Sequence, residues 1–175
     1  MKSNYFFCSL FFFLTNFYNS QKNELAIQSS FTNIGISYEY FTGKKFSFGA
    51  QAGTGLFSIK KDELTIMTSN SYSSKNLTEF YTSPFVRYYF RDDFNTWFLM
   101  GEIYFSKVQS TLFINEVESN KTSKKYFGPA LGGGYKFKLN NRFTINTFIT
   151  VGYDFNENDL VPLLGNGLIS LGYQF

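Results

Sequence analysis

The chain has 175 residues, one Cys, no His, and 16 basic against 13 acidic side chains for a net charge of +3. Its length fits one domain, and so slight a charge excess argues against nucleic acid as a partner. Lacking His, and with a single Cys, it is without the usual general base, the usual metal ligands and a disulfide framework.

Met1 and Lys2 precede a largely apolar run from Tyr5 to Leu14, and polar Asn16, Asn19, Ser20 and Gln21 follow. This is the layout of a secretory signal peptide, and the run is too short for a transmembrane helix, which needs roughly 20 apolar residues. The expected organisation is a signal peptide over 1–20, cut near Ser20–Gln21, and one domain over 21–175. Tyr18 fits poorly before such a cut, and Tyr5-Phe6-Phe7 lacks the small residues that would precede a lipidated Cys8. Removing 1–20 takes away Cys8 and Lys2, leaving 15 basic against 13 acidic residues, a net of +2.

Three short polar connections, Gly43-Lys44-Lys45, Arg91-Asp92-Asp93-Phe94-Asn95 and Asn140-Asn141-Arg142, read as tight turns. Longer polar stretches over Lys61–Asn76, Ser110–Ser123 and Asn156–Leu164 alternate with them. With a connection at Thr32-Asn33, the strands run over 24–31, 34–42, 46–60, 77–90, 96–109, 124–138, 143–155 and 165–175. That makes eight, with short turns on one side and long loops on the other, the asymmetry of an outer-membrane barrel. Read as a single strand, 24–42 would reduce the count to seven.

One face of these strands carries Ile34, Ile36, Tyr38, Tyr40, Phe46, Phe48, Val86, Tyr88, Trp97, Leu99, Ile103, Phe105, Leu131, Tyr135, Phe137, Ile145, Ile149 and Val151. Many of the rings lie near a short turn or a terminus, where an interfacial girdle belongs. The other face is small or polar, with glycines at 35, 49, 53, 128, 132, 134 and 152 and four charges, Glu39, Arg87, Glu102 and Lys136. An eight-stranded barrel has an interior just wide enough for side chains to fill. The two acids and two bases are therefore expected to pair inside it. The fold class expected is an eight-stranded antiparallel transmembrane β-barrel. Mean hydropathy is only −0.17, as alternation between lipid and lumen requires.

The last strand, ending Ile169-Ser-Leu171-Gly-Tyr173-Gln-Phe175, alternates the same way and finishes on an aromatic ring. With Ser83-Pro-Phe-Val-Arg-Tyr-Tyr-Phe90 and Gly132-Gly-Gly-Tyr135, this ending resembles the small bacterial outer-membrane barrels of the porin-family or OmpA-like barrel-domain type. The resemblance implies residence in the bacterial outer membrane, contact with outer-membrane lipid and lipopolysaccharide, and delivery by the barrel-assembly machinery. Tyr173 and Phe175 would then be the C-terminal assembly signal. No peptidoglycan-binding domain is expected after the barrel.

An enzyme is not expected, since barrel lipid hydrolases of this resemblance rely on a Ser–His pair, although a Ser–Lys or paired-carboxylate site stays open. The Gly-rich runs 49–55 and 128–134 lack the Lys-Ser/Thr and following helix of a phosphate loop, so no cofactor or metal is expected. Lys60, Lys61, Lys75, Lys121, Lys124 and Lys125 gather toward the long-loop rim, as a solvated face or a contact for lipopolysaccharide. Two functions remain: a plugged interaction barrel touching lipopolysaccharide, a surface or a larger outer-membrane assembly, and a small-solute transport barrel.

Overall fold

The computed structural model describes residues 23–42, 45–64, 71–114, 117–156 and 163–175. The signal segment expected over 1–20 lies outside the described residues, as do Gly43, Lys44 and parts of the three long connections.

Nine antiparallel segments form the wall: β1 Asn23–Ser29, β2 Asn33–Phe41, β3 Phe46–Gly55, β4 Ile59–Leu64, β5 Ser71–Tyr89, β6 Trp97–Ile114, β7 Val117–Lys138, β8 Phe143–Tyr153 and β9 Leu163–Gln174. They pair in the order β3-β2-β1-β9-β8-β7-β6-β5, and β3 pairs back onto β5 to close the ring. β4 pairs with β5 beyond β3. β3 and β4 are thus two parts of one wall strand, and the barrel has eight strands.

The expected strand over 46–60 is broken at 56–58. There the N–H groups of Leu56 and Phe57 donate to the Thr32 carbonyl, at 2.7 and 3.3 Å, because the β1–β2 hairpin ends below them and offers its tip instead of a ladder. That hairpin turns at 30–32, with Ser30 Oγ accepting from the N–H groups of Thr32 and Asn33. Asn33 therefore opens β2 rather than lying in the connection, and the seven-strand alternative falls.

A larger difference concerns the long connections. About 9–11 tilted residues cross a bilayer, yet β5, β6 and β7 have 19, 18 and 22. Much of the expected loops over 61–76 and 110–123 continues the ladder, from Ile59↔Asn76 to Leu64↔Ser71 and up to Ile114↔Val117. The rim is therefore tall along β4–β7 and low at β1–β2.

The outward side chains expected from alternation are exposed or half-buried, with Ile36, Trp97, Leu99, Leu131, Ile149 and Ile169 among the exposed ones. A contiguous apolar belt of this size is not stable against water and belongs in lipid. On the inner face, a Cβ on Gly132 would lie 2.0 Å from the Ile149 carbonyl oxygen and one on Gly134 2.1 Å from that of Thr147. Glycine at these two positions lets β7 and β8 approach closely enough to coil the narrow wall.

Candidate functional site

The inward residues of β1, β2, β5 and β7 converge on a buried charge cluster. Glu39 Oε1 accepts from Ser47 Oγ at 2.5 Å and Tyr89 OH at 2.7 Å. Its Oε2 faces Arg87 Nη1 at 3.0 Å and Lys136 Nζ at 3.1 Å. Lys136, fully buried, continues to Glu24 Oε2 at 2.7 Å. Glu24 also accepts from Asn146 and Gln174, both at 3.0 Å. Two acids and two bases thus neutralise one another, and every carboxylate oxygen has a donor, the condition under which buried ions are tolerated.

Aromatic rings enclose the cluster. The Arg87 guanidinium sits over Phe85 and Phe98, 4.5 and 4.6 Å from their centroids, and Lys136 Nζ lies 4.2 Å from that of Phe41. Below them Phe94 turns into the barrel from the Arg91–Asn95 connection. Its ring meets Phe41 at 4.6 Å and Tyr89 at 4.9 Å, closing the short-turn end. Phe94 holds φ at 56°, a conformation bulky side chains rarely adopt.

Of the four charges singled out from sequence, the structure brings Glu39, Arg87 and Lys136 together and leaves Glu102 apart. Among the described residues no cation pairs with Glu102; it accepts from Gln51 Nε2 at 2.8 Å, Ser83 Oγ at 2.5 Å and Thr150 Oγ1 at 2.6 Å. Its expected ionic partner is replaced by neutral donors, and Glu24 is the second acid of the cluster. Glu24 was legible, since Leu25 and Ile27 face out and the parity of β1 puts Glu24 inside. Further along the lumen, Gln28 donates to Tyr81 OH at 3.0 Å and Tyr81 stacks on Tyr104.

At the seam, the Phe175 and Asn23 backbones exchange two hydrogen bonds of 2.9 Å. The Phe175 and Tyr173 side chains point away from the lumen.

A closed antiparallel wall with an apolar exterior and a polar, filled interior defines an eight-stranded β-barrel of the outer-membrane type. The chain belongs to the family described as a protein of unknown function, DUF3575, whose profile matches residues 65–164. No curated protein sequence matches it. Among solved structures it is similar to the N-terminal β-barrel domain of OprF from Pseudomonas aeruginosa, with 13% identity over 90% of this chain and 98% of that one and a TM-score of 0.55. A major outer membrane protein from Thermus thermophilus gives 11% identity, 90% and 100% coverage and a TM-score of 0.62. CarO2 from Acinetobacter baumannii gives 9%, 90% and 100%, and 0.58. At these identities the likeness is one of fold.

Proposed function

We propose that the protein is a non-conducting outer-membrane barrel that works through its surface, as an interaction or structural element, rather than through its lumen. The observation that carries this reading is the filled interior: Glu24, Glu39, Arg87, Lys136, Tyr89 and Phe94 occupy the cross-section with hydrogen-bonded or packed groups. An ion would have to break several charge-assisted contacts to pass. The outer surface, by contrast, rises into a tall sheet well above what spanning requires. No enzymatic role is proposed, since Ser47 and Ser83 are buried and both donate to carboxylates.

Conductance across planar bilayers tests this. The purified barrel should give no steady current, and a reproducible open channel in the unmodified protein would overturn the reading. The alternative, a small-solute transport barrel, draws on a groove of about 920 Å³ beside the β1–β2 hairpin, lined in part by Ile27, Phe31, Gly167 and Ile169. Those four residues are exposed, and most of the lining is exposed or half-buried, although buried Gln28, Phe148, Leu168 and Ser170 also border the groove, so it supports lateral contact with lipid better than passage through the barrel.

A further inference from the structure

The tall wall sorts its charges by height. Phe105 and Phe127, backbone partners on β6 and β7, stack at 4.6 Å on the outward face. On that face the next row holds Phe80, Lys107 and Lys125, the following one Leu77, Gln109 and Ser123, and the third Lys75, Thr111 and Lys121, with Lys60 as the backbone partner of Lys75. Among the described residues of this face, acids gather above: Ser73, Phe113 and Glu118 form the fourth row, and Asp62 is the backbone partner of Ser73. The one acid lower down among the described residues of this face, Glu79 at the β5 bulge, is engaged by Lys107 and Gln109. Lys75, Lys121 and Lys125 are exposed and have no carboxylate within ion-pair reach among the described residues.

From Trp97 to Lys107 the wall climbs ~10 residues, roughly 33 Å along the strand and roughly 25 Å along the membrane normal at a tilt of ~40°, which is the height of the apolar band. The lysine rows therefore stand at the headgroup level, with bases next to the membrane and acids beyond it. Like charges on neighbouring strands disfavour the sheet, and an anion at that height would relieve them.

We propose that Lys75, Lys121 and Lys125 bind the phosphate groups of a phosphorylated outer-leaflet lipid whose acyl chains lie against Phe105 and Phe127. The inference rests on the surface-acting reading above and gives that surface a ligand. The test uses the folded barrel in mild detergent, titrated with bis-phosphorylated lipid A and with the same lipid stripped of phosphate. Each lysine near an anionic headgroup contributes about fivefold, so Lys75→Gln, Lys121→Gln and Lys125→Gln together should weaken binding about 100-fold. Affinity in the unmodified protein should fall with salt. Lys124→Gln, on the opposite face beside Val108, should change nothing. If the triple variant lacks the heat-modifiable mobility of a folded barrel, Lys125→Gln alone carries the test, with a loss of about fivefold. Unchanged affinity in the lysine variants, or equal binding of the dephosphorylated lipid, would overturn the site. Bilayer current on the same preparation separates the two readings, since a conducting barrel with lysine-dependent lipid binding would defeat the non-conducting proposal alone.

Discussion

Lys136→Met probes the lumen most directly. Lys136 Nζ is the shared cation of Glu24 and Glu39, and its removal affects the two acids unequally. Glu39 keeps Arg87, Ser47 and Tyr89, whereas Glu24 keeps hydrogen bonds from the neutral donors Asn146 and Gln174 alone, with Arg87 acting on it only at longer range. The variant therefore strands one buried anion, a change that costs about 3–5 kcal/mol. Methionine refills most of the volume, so a cavity adds little. Urea unfolding of the reconstituted barrel, followed by the fluorescence of Trp97, reads the loss. At an m-value of about 2 kcal/mol/M, the midpoint should fall by about 2 M. Adding Glu24→Gln removes the stranded charge and should restore more than half of that shift, giving a coupling energy of about 2 kcal/mol or more in a double-mutant cycle. A single-variant loss under about 1 kcal/mol, or a double variant no more stable than the single, would refute the idea that ion pairing in the lumen holds the barrel together.

Gly132→Ala forces a methyl against the Ile149 carbonyl and should destabilise the barrel, whereas outward Gly101, whose Cβ would meet nothing closer than 3.5 Å, should accept Ala; thermal unfolding of the pair compares them. At Phe94, with φ 56°, Gly should be tolerated better than Ala, because both lose the ring packing but only Gly takes this backbone conformation freely; equal melting would argue against stored strain. On intact cells an impermeant thiol reagent should label a cysteine at Asn120 and not one at Asp93, and the reverse pattern would invert the topology. Phe175→Ser keeps the backbone bonds to Asn23 and should refold normally in detergent while lowering the assembled fraction in cells; a parallel loss of both would make the ring a structural element rather than an assembly signal.

The wall was legible because one of its faces meets lipid: wherever apolar and polar residues alternate, as in Phe143–Tyr153 with its alternating burial, period two leaves no other reading. Above the bilayer that signal vanishes. Residues 117–123 of β7 are exposed on both faces, so the sequence there reads as loop although the ladder continues, and the rows of lysine and acid become visible only through register. Phe94 was hidden for a different reason, since Asp92, Asp93 and Asn95 mark a turn and nothing local says that its ring swings inward as a plug.

Glu102 shows where counting charges goes astray. Two acids and two bases on the inner face suggested two pairs, but a count carries no distances, and the backbone partners of Glu102, Phe85 and Ala130, supply no donor. The carboxylate is met instead by Gln51, Ser83 and Thr150 from three other positions around the lumen. Hydrogen bonds to a charged group contribute roughly 1.5–3 kcal/mol each, so three offset a desolvation cost of several kcal/mol without any cation. Small hydroxyl residues on the inner face, which in sequence look like filler that leaves room, are thus part of the electrostatics.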